Sequence, residues 1–322
     1  MEIHRTKARY AILGAIIGDS LGSTLEFESG TNAKLLISKY SKFENGLVGA
    51  GPFQLVPGQF TDDTEMALAI MSVIMKQGSY DQKYVSRMYH AWYNSNPFDM
   101  GKTTRTSVSQ PSLTGMLHAT KKYNSGSLSN GFLMRLFGLV ALYYQKTQNE
   151  MIDAVCEDVK LTHSNSEALH IASIYAIMLW KAIHGENANK IYWWGKNHCG
   201  SSSLIVAIYH AVDNNSNSFF YHDEEYNIKQ IDSHIFGFVG FAFWLLLRSI
   251  KYHNSYQNAI LDVVSYGGDT DTNACIVGAV MGALYPETVP AKWIGSVLNC
   301  TATDRYKNYP IANPLIWKKW LP

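Results

Sequence analysis

Two short acidic segments, Thr61-Asp62-Asp63-Thr64 and Asp269-Thr270-Asp271-Thr272, lie far apart in the chain, and each runs at once into an apolar stretch, Met66 to Met75 and Ala274 to Tyr285. Any fold of this sequence must therefore start two buried helices with clustered carboxylates. Thr and Asp are good N-cap residues, and acids in a first turn gain about 0.3–1 kcal/mol each from the helix dipole. Asp62 and Glu65 also have capping-box spacing. Capping alone accounts for one such segment. Two of them bring four close acids, which repel unless a cation or a proton lies between them. The donors on offer are carboxylates and hydroxyls without Cys or His, a set that favours Mg²⁺, Mn²⁺ or Ca²⁺ over zinc or copper. An EF-hand loop fits Asp269, Asp271 and Asn273 but fails at Ala274 and Val280, where its turn glycine and bidentate glutamate belong. A site assembled from both segments is the better reading.

With 322 residues, 47% of them hydrophobic, the chain can bury a large core. No composition break divides it, so residues 1–322 read as one domain, with Asp213 to Ser218 and the tail from Thr301 as surface loops. The net charge is +1 and there is no long basic run, which argues against nucleic acid or a membrane surface as a partner. The apolar run Phe236 to Leu247 is too short to span a bilayer. Cys156, Cys199, Cys275 and Cys300 show no C-x-x-C spacing, so neither a disulfide framework nor zinc is indicated and a cytoplasmic setting is expected. Arg5, Lys7 and Arg9 before Tyr10 to Ile17 imitate a signal peptide, but Asp19 follows without a small-x-small cleavage site. An amphipathic first helix is the reading adopted.

Apolar residues recur at helical spacing near 7–24, 64–76, 80–94, 131–146, 149–160, 165–184, 202–213, 234–252, 255–265, 272–285 and 289–299. Extended structure is suggested only near Phe53 to Phe60, and no βαβ rhythm develops. The expected class is all-α. Gly14, Gly18 and Gly22, and again Gly278 and Gly282, stand four residues apart inside helices, at a cost of about 1 kcal/mol each relative to alanine. In a soluble core that spacing lets two backbones pack closely. Asp19 and Glu26 face the same side if the first helix continues that far.

Five stretches then align in order: Gly18-Asp19-Ser20-Leu21-Gly22 leading to Glu26; Gly58-Gln59-Phe60-Thr61-Asp62-Asp63-Thr64; Asn130-Gly131 leading to Met134-Arg135; Thr162-His163 leading to Glu167-Ala168; and Gly267-Gly268-Asp269-Thr270-Asp271-Thr272. From about residue 8 to about residue 300 the chain resembles the ADP-ribosylglycohydrolase family, the relatives of dinitrogenase reductase-activating glycohydrolase. The resemblance implies a compact, orthogonal helical bundle with two Mg²⁺ or Mn²⁺ ions in a cleft, removing ADP-ribose from a modified side chain, foremost arginine. It implies Thr61, Asp62, Asp63, Asp269, Asp271 and Thr272 as metal ligands and Glu26 as an acid close to the metals and the scissile bond; as the catalytic acid, Asp62, Asp63 or Glu26 is expected to orient the attacking water. Cleavage at the anomeric carbon builds positive charge on the sugar, which suits such a cluster.

The stretch Asp99-Met100-Gly101-Lys102-Thr103-Thr104 resembles the family's acidic, glycine-bearing loop beside the substrate, which implies contacts from Asp99, able to meet a guanidinium, and Gly101, whose backbone can approach a phosphate. On its own it reads equally as a loop before a Thr-rich helix start. The resemblance adds Ser127, Asn130, Gly131 and His163, the last of which on spacing alone would flank a helix start capped by Ser164 with Glu167. Tyr266 adjoins the second glycine pair and is a further candidate. The implied partners are an ADP-ribosylated protein and a cognate ADP-ribosyltransferase. The competing class is a binding or immunity protein that recognises such a target, or neutralises a toxin, without turnover; a third is a metal-free glycosidase.

Overall fold

The structure, a computed structural model, describes residues 2–200, 202–221, 224–227 and 238–322. It is all-α: about 68% of the described residues are helical. The helices are α1 (Glu2–Gly22), α2 (Gly30–Lys39), α3 (Asp62–Gln77), α4 (Gln82–Asn94), α5 (Lys102–Val108), α6 (Leu113–Tyr123), α7 (Leu136–Leu142), α8 (Gln148–Val159) and α9 (Ser166–Ile183). They continue as α10 (Ala188–His198), α11 (Ser203–Asp213), α12 (Val239–Tyr252), α13 (Tyr256–Val264), α14 (Thr270–Leu284), α15 (Ala291–Leu298), α16 (Thr303–Asn308) and α17 (Pro314–Trp317). Between α11 and α12 lies one antiparallel hairpin, β1 (Ser218–Tyr221) and β2 (Glu224–Asn227), in which Phe219 pairs with Tyr226.

Side-chain caps set many of the starts. Ser29, Asp81, Ser112, Asn187, Ser202 and Ser255 each accept from a first-turn amide, and Thr147 with Glu150 closes a full capping box.

The centre of the molecule is the pair α1 and α14. Every residue of α14 is buried, as is every residue of α1 from Ala11 to Gly22. Helices apolar on all sides belong in the middle of a fold. Their glycines explain how close they come. A Cβ on Gly14 would sit 3.1 Å from Gly282 Cα, one on Gly18 3.0 Å from Cys275 N, and one on Gly22 2.5 Å from Asp271 Cα. The pairs run in opposite order, so the helices are antiparallel, and the end of α1 lies against the start of α14.

Several sequence expectations change. The first helix is a fully wrapped core helix over its second half rather than amphipathic, and it ends at Gly22, short of Glu26. The segment Phe53 to Phe60 forms turns with a single bridge between Ala50 and Leu55. A 3₁₀ turn at Asn130–Phe132 breaks the helix expected from 131 to 146, leaving α7. The helix expected from 234 is described from Val239, its first residues lying outside the described set. Asp213 ends α11 and Ser218 opens β1, leaving four loop residues between them. The tail from Thr301 is no loop: it carries α16 and α17 and buries Arg305 and Trp317.

Candidate metal centre

Helix α3 is started from outside its own segment. Its N-cap Thr61 makes no side-chain cap, and Glu65 does not fold back to close the expected box. Instead Asp19, near the end of α1, accepts from Thr61 N (2.9 Å), Thr61 Oγ1 (2.9 Å), Thr64 N (3.0 Å) and Thr64 Oγ1 (2.6 Å). Four donors occupy both oxygens of a wholly buried carboxylate. Asp19 lies near enough to Asp63 and Asp271 to join them around an ion. Its lone pairs are already committed, and we assign it to bracing α3.

Helix α14 starts after Gly267 and Gly268, both in the left-handed region at φ 74° and 78° that a side chain resists. Their backbones tie this start to the turn after α1: Phe27 N donates to Gly268 O and Gly268 N donates to Glu28 O, each at 2.9 Å. Glu26 is thereby carried to the α14 acids although the helix before it has ended.

The two starts meet. Thr61 Oγ1 lies 3.1 Å from Asp63 Oδ2 and 3.2 Å from Asp271 Oδ2, and Thr272 Oγ1 lies 3.4 Å from Asp63 Oδ2. Two sets of three carboxylates have oxygens within 4.8 Å of one another, Asp19 with Asp63 and Asp271, and Glu26 with Asp269 and Asp271. Asp271 belongs to both.

Above them opens a cleft of about 300 Å³ whose walls include Glu26, Asp62, Asp99, Asp269 and Thr272, with Gly101, Asn130 and Gly131. Asn130 has a structural task there, donating to Asp269 Oδ2 at 2.7 Å. Three expected contacts are absent from this wall. Ser127 is turned to Thr103 and Ser129. His163 is wholly buried behind Ser129, its ring edge-on to Phe132, and the helix after it is capped by Asn165 instead of Ser164. Tyr266 packs against Trp244 and Phe241. Lys102, Thr103, Thr104, Ser129 and Met134, which lie in the matched stretches but were not singled out as contacts, line the cleft as well, and so does Phe27, which the sequence reading missed. Position beside Glu26, Gly101 and Asn130 was the available signal.

No Lys, Arg or His pairs with Asp19, Glu26, Asp62, Asp63, Asp99, Asp269 or Asp271 among the described residues. Burial first, then the neighbouring acids, pushes Glu26 up to about 10 and Asp62, Asp63 and Asp271 well above the usual carboxylate range. Burial, then the charge of Asp269, likewise raises Asp99. Glu26 Oε2 and Asp63 Oδ1 are buried without a hydrogen-bond partner. Only protons or a cation can balance such a cluster, and its all-oxygen donors suit a hard divalent ion.

Known proteins give the same grouping. The profile of the ADP-ribosylglycohydrolase family matches residues 1–316. A protein of Acanthamoeba polyphaga mimivirus, provisionally named an ADP-ribosyl glycohydrolase, is 56% identical over 98% of each chain. An ADP-ribosylarginine hydrolase of Pseudomonas putida is 25% identical, covering 90% of this chain and 74% of its own. A solved ADP-ribosylglycohydrolase-related protein complex contains a chain of the same fold, with TM-score 0.70 and 22% identity over 98% of this chain and 99% of that one. The chain belongs to the ADP-ribosylglycohydrolase family.

Proposed function

We propose that this protein hydrolyses the N-glycosidic bond of ADP-ribosyl-arginine on modified proteins, with two Mg²⁺ or Mn²⁺ ions held in the cleft. The observation that carries the reading is the pair of three-carboxylate groups joined at the buried Asp271, one of which reaches the cleft through Glu26 and Asp269. Thr61, Asp62, Asp63, Asp269, Asp271 and Thr272 are the proposed ligands. Bound there, divalent ions supply positive charge to ribose hydroxyls and acidity to water.

The protein groups have separable tasks. Asn130 fixes the rotamer of Asp269. Asp19 fixes the first turn of α3, and with it Asp62 and Asp63. Glu26 lines the cleft with one oxygen free of internal partners, which suits it to take or give a proton as the glycosidic bond breaks. Asp99 lines the same cleft, and a carboxylate there supports a guanidinium as the leaving group. The arginine linkage draws further support from the relative named for that activity.

The test is release of ADP-ribose from an arginine-modified protein with Mg²⁺, with chelator and with Asp269→Ala, beside a serine-modified substrate. Release that prefers arginine and needs both metal and Asp269 is expected. Release untouched by chelator refutes the metal reading. ADP-ribose binding without release from either substrate points to a binding or immunity protein.

A further inference from the structure

Behind the cleft wall runs a buried polar chain that the proposed chemistry does not use. Arg135 is fully buried and fixed by Asp158, with Nε to Oδ2 at 2.8 Å and Nη2 to the Asp158 carbonyl at 3.1 Å. It also donates through Nη1 to Gly131 O and through Nη2 to Thr162 Oγ1, each at 2.9 Å. Thr162 Oγ1 lies 2.9 Å from His163 Nδ1, and His163 Nε2 lies 2.8 Å from Ser129 Oγ. Ser129 is on the cleft wall.

We infer that this relay fixes Ser129 as a one-way hydrogen-bond donor into the cleft, so that His163 reaches the ligand only by orienting Ser129. The inference rests on the reading that an ADP-ribosyl group occupies the cleft. A guanidinium only donates, so Thr162 Oγ1 is an acceptor towards Arg135. Thr162 is wholly buried, and His163 Nδ1 is the remaining partner described for its hydroxyl hydrogen. Leaving a buried hydroxyl hydrogen unpaired costs about 1–3 kcal/mol, so Nδ1 is the bare nitrogen. The ring proton then sits on Nε2 and is donated to Ser129 Oγ.

A doubly protonated ring is ruled against by the same surroundings. Burial, then the Arg135 charge, lowers His163 to about 3. Ser127 Oγ, 3.4 Å from Ser129 Oγ, is oriented to donate to it. The Ser129 hydrogen is left for the cleft, beside Lys102 and Thr103. An acceptor oxygen of the ligand, on the diphosphate or a ribose, satisfies it; a guanidinium does not. The relay thus sets which end of the substrate lies at Ser129 and leaves the arginine end to Asp99.

The experiment pairs a ¹⁵N–¹H spectrum of the His163 ring in the unliganded protein with calorimetric titration of ADP-ribose into wild type, Ser129→Ala, His163→Leu and His163→Gln. The expected spectrum shows protonated Nε2 and bare Nδ1 across the neutral pH range. Ser129→Ala and His163→Leu should each weaken ADP-ribose about tenfold, and His163→Gln, which keeps a donor near Nε2, should recover most of the loss. A protonated Nδ1, or Ser129→Ala binding as well as wild type, overturns the relay while leaving the hydrolase reading in place. The expected tautomer in a wild-type protein that does not bind ADP-ribose supports the relay and overturns the hydrolase reading.

Discussion

The first turn of α3 buries three carboxylates and treats them in two ways. Glu65, 1% exposed, is gripped by Arg305 through both oxygens at 2.5 Å and by the Trp92 indole N–H at 2.7 Å. Asp62 and Asp63, 7% and 0% exposed, face further acids and hydroxyls instead. All three are buried, so the difference lies in whether the chain supplies a counter-charge. Burial is the largest influence on Glu65 and raises its carboxyl, while the Arg305 hydrogen bonds and charge, then Trp92, work the other way. At Asp62 and Asp63 the neighbouring acids add to burial. A buried acid given its partner is a structural post. One denied a partner among several others is a place for a charge from outside.

The largest expected effect breaks the second case. Asp271→Ala removes the carboxylate common to both groups and should cut ADP-ribose release by more than the roughly 100-fold typical of residues that merely support a metal ligand. Stability should move the opposite way. In chelator the variant should unfold at or above the wild-type midpoint, because one mutually repelled buried carboxylate is gone. Mg²⁺ should raise the wild-type midpoint by linkage and leave the variant unmoved. Thermal unfolding with and without metal reads both, and a variant that needs several kcal/mol of rescue in chelator would erase the contrast.

Next in size is the first case broken. Arg305→Met strands Glu65 without its counter-charge and should cost about 3–5 kcal/mol in urea unfolding. The double change Arg305→Met with Glu65→Leu should return most of that loss, since no buried charge then remains. A double variant as unstable as the single one would mean that Arg305 matters for packing rather than for charge.

The two regions also differ in how far the sequence discloses them. The clustered acids at the starts of α3 and α14 were legible because hydroxyls and carboxylates at the mouth of an apolar helix carry their chemistry locally, and the glycine spacing announced close backbone packing of α1 and α14, though not that the two pack on each other. Arg305 was not, since an ion pair between α3 and α16 leaves no mark in either segment, and the tail read as a loop. Asp19 was seen as an acid on the first helix, but capping a helix many residues away is a tertiary fact. His163 was expected in the cleft; a neighbouring serine hydroxyl on the wall and the buried Arg135 moved it one layer back. Short or polar helices such as α5 and α10 escaped because packing, more than periodicity, holds them.

A third acid sharpens the comparison and carries the smallest effect. Asp213, at the end of α11, keeps 24% of its side chain exposed and accepts from Tyr192 OH at 2.7 Å, Lys196 Nζ at 2.5 Å and Lys251 Nζ at 2.6 Å. Burial is the largest influence and works to raise it, but the Lys196, Lys251 and Tyr192 hydrogen bonds together outweigh it and hold the carboxyl below its usual range. A carboxyl more acidic folded than unfolded contributes stability that is complete above its unfolded pKa and is lost as pH falls through the folded value. Asp213→Asn should therefore flatten the loss of stability below about pH 4. At neutral pH it should cost less than about 1 kcal/mol, because water screens the pairs, and added salt should shrink even that. Denaturant titrations over a pH series measure it. A neutral-pH loss as large as that of Arg305→Met would place Asp213 with Glu65, and exposure would no longer separate an acid that solvent can satisfy from one that needs its partner.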